Sequence, residues 1–159
     1  MLQYLTQNSQ ETKKLARILA LEATKIKSRK PLIFGLVGDL GSGKTTFIQG
    51  FIRGLGIKKR ITSPSFLIMR SYKLPACNAL RSNAGRQATS YKKIYHIDCY
   101  RLKKPKELLV LGLKEIFSDP ENVILIEWAD KIKKILPKEV IYLKFKHNKL
   151  PNQRLIKLS

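Results

Sequence analysis

Cysteine is nearly absent from this chain: Cys77 and Cys99 are the only two, with no C-x-x-C spacing. That gives no disulfide framework or zinc site to infer, and it suits ordinary thiols in a reducing compartment. Long apolar runs are missing as well. No stretch approaches the roughly 18 continuous apolar residues of a membrane span. Met1-Leu2-Gln3-Tyr4 also lacks the charged and apolar regions of a secretory signal. The expectation is a cytoplasmic protein with no membrane partner. Acidic residues are scarce too, 11 Asp and Glu against 32 Lys and Arg, for a net charge of +21. Such a field attracts polyanions, RNA among them, and weakens with salt. The lysines fall in scattered short runs, Lys58-Lys59-Arg60, Lys103-Lys104 and Lys133-Lys134, without the interleaved aromatics of a single-strand platform. Codon bias in an A·T-rich genome would yield the same excess, so a nucleic-acid surface and a generic solvated one both stay open.

What is present fits one globular domain spanning 1–159: 159 residues with 43% hydrophobic content can bury a single core. The chain is organised around Gly38-Asp39-Leu40-Gly41-Ser42-Gly43-Lys44-Thr45, which fits the phosphate-loop pattern G-x-x-x-x-G-K-[ST] at every fixed position. Before it, Leu32 to Val37 is a continuous apolar run, as in a strand buried on both faces. After it, Phe47, Ile48, Phe51, Ile52 and Leu55 recur at helical spacing, with Gly54 and Gly56 as a stop. In a strand, glycine loop and helix arranged this way, successive backbone N–H groups point at phosphate oxygens, and the helix N-terminus adds about half a positive charge. Lys44 would reach the β- and γ-phosphates, and Thr45 would place its hydroxyl on Mg²⁺. A dinucleotide fingerprint fails, because Thr46 stands where its third glycine belongs.

Along the rest of the chain, Leu2 to Thr6 reads as a short strand. Asn8 or Ser9 can cap a helix whose apolar positions Leu15, Ile18, Leu19, Ala23 and Ile26 share one face, and Pro31 closes that segment. Ile61-Thr62-Ser63-Pro64-Ser65-Phe66 breaks the pattern before a strand expected through Phe66-Leu67-Ile68-Met69. The hydroxyls there face a γ-phosphate or belong to a simple turn, and composition favours the turn. Residues 73–93 read as a long exposed insertion loop, rich in Asn, Ser and Gly. Ile94 to Asp98 is a strand ending on a carboxylate, and Asp98 is the only acid among fourteen Lys and Arg between Arg53 and Lys106. Pro105 suits a first helical turn, with Leu108, Leu109, Leu113, Ile116 and Phe117 following at helical spacing. Val123 to Ile126 followed by Glu127-Trp128 resembles a Walker B strand. In open α/β sheets ligands sit at the carboxyl ends of strands, which would set Glu127 near the metal that Thr45 holds. Ile132 to Leu136, Pro137 and two amphipathic strands, Val140 to Lys146 and Arg154 to Leu158, close the chain.

These residues resemble the TsaE family, bacterial P-loop ATPases of tRNA threonylcarbamoyladenosine biosynthesis. The resemblance rests on the glycine loop through Thr46, on Ser63-Pro64-Ser65-Phe66, on His96-Ile97-Asp98-Cys99-Tyr100-Arg101 and on Leu125-Ile126-Glu127-Trp128, in that order and over nearly the full length. Ser65 stands where the family usually has Thr, and the 73–93 segment is longer than usual. The family implies an α/β fold, a P-loop NTPase three-layer sandwich with a mostly parallel central sheet and antiparallel strands toward the C-terminus. It implies ATP and Mg²⁺ as cofactors, Thr45 and Glu127 as metal-holding residues, and Asp98 as a requirement for turnover beside Lys44. Asp39, Leu40, Gly41, Ser42, Gly43, Lys44, Thr45, Thr46, Asp98 and Trp128 would line the nucleotide. It also implies TsaB and TsaD as partners, TsaD being the transferase that modifies adenosine 37 of tRNAs reading codons that begin with A, with tRNA reached through that complex. Many ATPases put two acids at this strand end, but here Trp128 follows Glu127 directly. Water positioning must then fall to another group, and Asp98 is the best placed, with slow hydrolysis expected of the isolated chain.

Three rivals carry different signatures. A small GTPase would need N-K-x-D, and Asn148-Lys149 is followed by Leu150-Pro151. A small-molecule P-loop kinase would need an arginine-bearing lid, which Arg81 and Arg86 imitate. A non-enzymatic RNA-binding module would bind without Mg-ATP and hydrolyse nothing.

Overall fold

The computed structural model describes residues 2–25, 28–75, 89–148 and 150–159. Readings that fall on Met1, Ile26, Cys77, Arg81, Arg86, Lys149 and most of the 73–93 loop lie outside these residues.

Seven strands form one sheet in the order β1-β7-β6-β2-β5-β4-β3. They are β1 (Leu2–Thr6), β2 (Leu32–Val37), β3 (Met69–Lys73), β4 (Lys93–Asp98), β5 (Asn122–Glu127), β6 (Ile141–His147) and β7 (Arg154–Leu158). The four central strands β6, β2, β5 and β4 run parallel, while β7, β1 and β3 pair antiparallel at the two edges. The expected P-loop α/β sheet is therefore present. Its centre reads as apolar runs because it is covered on both sides: every residue of β5 is buried.

One face is packed by α1 (Ser9–Ala23) and α2 (Lys44–Gly54), the other by α3 (Lys106–Leu109), α4 (Leu113–Ser118) and a 3₁₀ helix (Ala129–Ile135). Helix α1 starts at Asn8, whose Oδ1 accepts the Glu11 N–H at 2.9 Å, while Glu11 Oε2 accepts the Gln7 N–H at 2.8 Å. That cap satisfies donors which a helix start otherwise leaves bare. Its buried face is Thr12, Ala16 and Ala20, flanked by Leu15, Leu19 and Ala23, whereas Ile18 is 51% exposed and does not share the core face as expected. Small residues decide the approach to α2. A Cβ on Gly50 would lie 2.5 Å from the Lys13 carbonyl oxygen, so only glycine lets the two helices cross this closely.

Two further expectations are corrected. The strand placed at Phe66 to Met69 begins only at Met69, because Phe66 and Leu67 belong to a turn closed by the Leu67 N–H on the Pro64 carbonyl at 2.7 Å. Ile68 then sits at φ +63°, which no strand continues through. The single helix expected after Pro105 is divided into α3 and α4 by Gly112, at φ +74°, a left-handed position that glycine occupies at least cost. The ends of the 73–93 segment are strand residues, since Lys73 pairs with Lys93 in the antiparallel register of β3 and β4.

Cys99 is fully buried, and burial, with Asp98 next, pushes its thiol up to about 12. It is an inert core group. Among the described residues no helix is long and apolar enough to cross a membrane.

Candidate nucleotide site

The glycine loop leaves β2 at Gly38, where φ is +148° and a Cβ would lie 2.3 Å from the Phe145 carbonyl oxygen of β6. No other residue fits against the neighbouring strand there. The loop ends at Gly43, the N-cap of α2, so the helix begins on Lys44 and its first N–H groups face the loop. Lys44 folds back along it: Nζ donates to the carbonyls of Gly38 at 2.7 Å and Asp39 at 2.8 Å, and lies 3.9 Å from the Trp128 ring centroid. Burial lowers the Lys44 ammonium pKa, opposed by the carboxylates of Glu127, Asp98, Asp39 and Asp130 in that order.

Register brings the acids beside this lysine. Asp98, the last residue of β4, is the direct neighbour of Glu127, the last residue of β5, and Glu127 in turn stands beside Leu36 of β2. Both carboxylates are 3% exposed. Thr45 Oγ1 lies 2.8 Å from Glu127 Oε2 and 3.0 Å from Oε1, joining residues 82 positions apart. Asp98 Oδ2 accepts from the hydroxyls of Ser63 and Ser65, each at 2.5 Å, and Oδ1 accepts from the Tyr100 N–H at 2.9 Å. The Ser63 to Ser65 segment is thus a turn, and it also turns its hydroxyls into the site.

A cleft of about 370 Å³ joins these groups, within the usual range for small-ligand sites. Leu40, Gly41, Ser42, Gly43, Lys44, Thr45, Thr46, Asp98, Glu127 and Trp128 all line it; Asp39 does not, and contributes its carbonyl to Lys44 instead. Trp128 has left-handed backbone at φ +59°, ψ +42°, a position that costs a non-glycine residue about 1–3 kcal/mol. The turn swings the indole over Lys44 and against Tyr100, with ring centroids 5.2 Å apart. Cation–π contact, worth roughly 0.5–2 kcal/mol, offsets part of the strain.

Three participants carried no assigned role in the sequence reading. His96 is fully buried, and its Nε2 lies 2.9 Å from Glu127 Oε1, so the Glu127 carboxylate is held from two sides. The signal was the alternation of β4: His96 and Asp98 are two apart and share the face on which Glu127 ends β5. Phe66, 82% exposed, and Arg101, whose guanidinium stacks 4.1 Å from the Phe66 ring, form the outer wall. Nothing local in the sequence pairs those two.

A family model described as threonylcarbamoyl adenosine biosynthesis protein TsaE matches residues 6–156. Among curated proteins carrying the name tRNA threonylcarbamoyladenosine biosynthesis protein TsaE, that of Bacillus subtilis is 38% identical over 146 residues, covering 91% of this chain and 77% of its own. The Haemophilus influenzae protein is 36% identical over 125 residues, 79% of this chain and 66% of its own. That of Rickettsia felis is 40% identical over 136 residues, 84% of this chain and 66% of its own. The chain thus spans just under two thirds of the length of the last two. Among solved structures, the crystal structure of Bacillus subtilis YdiB superposes with a TM-score of 0.69 at 34% identity, covering 99% of this chain and 83% of that one.

Proposed function

The chain belongs to the TsaE family of tRNA threonylcarbamoyladenosine biosynthesis proteins, and on that premise we propose that it is a Mg²⁺-dependent ATPase supporting a TsaB–TsaD transferase. In this reading residues 1–159 act as one P-loop unit in the cytoplasm, and tRNA is reached through the partner complex. The observation that carries the proposal is the Thr45–Glu127 contact at the start of α2, directly beside Lys44.

The donors suit Mg²⁺. Thr45 and Glu127 offer hard oxygens, and among the described residues no group of three His, Cys, Asp or Glu forms a complete metal cage. Such a site leaves coordination positions for phosphate oxygens and water, as Mg²⁺ sites usually do. Thr45 and Glu127 would hold the ion, which would supply positive charge against the phosphates. The chain's own groups do the rest. Loop N–H groups and the α2 N-terminus orient the phosphates, Lys44 adds a positive charge, and His96 keeps the Glu127 carboxylate turned toward Thr45. Asp98 positions the attacking water and accepts its proton.

Both Asp98 oxygens are already engaged by Ser63, Ser65 and Tyr100. Ser63 and Ser65 both hold Oδ2, so a shift of that segment on partner docking would free this oxygen for water and act as a gate on hydrolysis, leaving the isolated chain slow. The test is ATP hydrolysis measured with and without TsaB and TsaD homologues from the same source. Stimulation by that pair is expected; phosphoryl transfer to a small metabolite in their absence would replace this reading with a kinase.

A further inference from the structure

The stretch from His96 to Arg101 ends on a residue that the proposed mechanism leaves unused. Arg101 lines the nucleotide cleft, and among the residues that do so only Lys44 is also cationic. Lys44 is shared: its ammonium serves the carbonyls of Gly38 and Asp39 and stands beside two nearly buried carboxylates, Glu127 and Asp98. The Arg101 guanidinium has no ion pair and no protein hydrogen-bond acceptor among the described residues. Its contact is the Phe66 ring, whose centroid lies 4.1 Å away. Phe66 is 82% exposed, so it serves no core, and it lines the same cleft. The stack therefore holds a planar fork of donors at the cleft wall.

The backbone that carries Arg101 is anchored to both acids. The Cys99 N–H donates to the Glu127 carbonyl at 3.0 Å, and the Tyr100 N–H donates to Asp98 Oδ1 at 2.9 Å. The Leu102 N–H closes the turn on the Cys99 carbonyl at 3.2 Å, and Lys131 Nζ donates to the Tyr100 carbonyl. Arg101 thus follows Asp98 by three residues on a fixed turn, apart from the glycine loop whose N–H groups hold the phosphates at rest.

We propose that Arg101 is a catalytic residue of the cleft: it meets the charge on the phosphoryl group as that group passes to water. The proposal rests on the ATPase reading above. In that hydrolysis the water oxygen bonds to the γ-phosphorus and the water proton passes to Asp98. The bond to the β–γ bridging oxygen breaks, and its electron pair stays with ADP. Charge spread over the outer oxygens of the phosphoryl group is what a guanidinium fork matches, two oxygens at once. Without Arg101 the side chains lining the cleft are net negative, one lysine against two carboxylates, where an anion has to react. The shift of the Ser63 to Ser65 segment that would free Asp98 Oδ2 would also move Phe66, the next residue, and release the guanidinium with it.

Calorimetric titration of Mg-ADP with and without aluminium fluoride, which mimics the phosphoryl group in transfer, tests this on the full chain with TsaB and TsaD homologues at saturation. Arg101→Ala should leave Mg-ADP affinity nearly unchanged and weaken the aluminium fluoride complex about 10³-fold, with single-turnover hydrolysis falling by the same factor. Arg101→Lys, which keeps the charge without the fork, should recover part of both losses. Lys104→Gln removes the same charge from an exposed position outside the cleft and should alter neither. An equal loss of Mg-ADP and aluminium fluoride affinity would make Arg101 a resting-state contact and overturn the proposal. So would an effect of Lys104→Gln as large as that of Arg101→Ala, or a loss of partner affinity alone, which would assign the stack to docking. If the unaltered chain binds the aluminium fluoride complex no tighter than Mg-ADP and hydrolyses nothing, the ATPase reading falls and the proposal with it. A failure of Arg101 alone shows instead as an unaltered chain that discriminates and an Arg101→Ala variant that discriminates equally well.

Discussion

Replacing Asp98 by Asn should leave nucleotide binding intact and remove turnover, and the hydrogen bonds around it set the size of each effect. The Asn side chain must keep its oxygen on the Tyr100 N–H, because its amide nitrogen cannot accept from that group. The nitrogen then faces Ser63 and Ser65, whose hydroxyls can rotate from donating to accepting. Geometry is preserved, but two charge-assisted bonds become neutral ones at a cost of about 1 kcal/mol each. For a chain of this size that lowers Tm by roughly 4–8 °C without unfolding it. The lost base should slow the chemical step about 10²–10⁴-fold, or roughly 3–5 kcal/mol in the barrier. Calorimetric titration of Mg-ADP, thermal melting, and single-turnover hydrolysis with TsaB and TsaD homologues present separate the three quantities. Normal hydrolysis by the variant refutes the assignment of Asp98 as base. A parallel loss of binding and turnover refutes it too, since Asp98 would then be only a strut for the Ser63 to Ser65 turn.

Glu127→Gln should reduce the Mg²⁺ dependence of nucleotide binding itself; titrations with and without Mg²⁺ check this, and an unchanged ratio of the two affinities removes Glu127 from the metal. Because burial depresses the Lys44 pKa, its charge is lost below the usual lysine range of about 10.4, so nucleotide affinity should fall as pH rises toward that range. Over the same window the unfolded chain binds more protons than the native one, so Lys44 contributes a rise in stability with pH, not a loss. Lys44→Ala should abolish both effects and weaken Mg-ATP binding severely, read by pH-dependent titration and melting. Trp128, the sole tryptophan, lies over Lys44, so its fluorescence should change on adding Mg-ADP or Mg-ATP; a flat signal at calorimetrically confirmed saturation would take it out of the site.

The phosphate loop, its strand and its helix were legible because their signals are contiguous in sequence: a glycine pattern, a continuous apolar run and a helical repeat. The end of β5 was legible for the same reason. Ile68 and Gly112 defeated the periodic reading, since a left-handed residue stops a strand or a helix without changing its apolar spacing. Ile18 failed differently. Helical spacing admits it to the apolar stripe, but the close crossing allowed by Gly50 puts Ala16 and Ala20 at the contact and rotates Ile18 outward. The stack of Arg101 on Phe66 joins two segments that no sequence pattern links.

Under the proposed ATPase reading, the missing second acid has an answer in register. An ATPase that draws both acids from one strand needs them at consecutive positions, and Trp128 occupies the second of these here. In this sheet β4 ends level with β5, so Asp98 arrives beside Glu127 from a strand about 4.8 Å away. The division also separates their surroundings: Glu127 is tied to α2 and β4 through Thr45 and His96, while Asp98 is tied to the irregular Ser63 to Ser65 turn. One acid is therefore tied to regular elements and the other to an irregular segment. In the proposed cycle, metal holding is a fixed property of the fold, and water positioning is the step a partner can control.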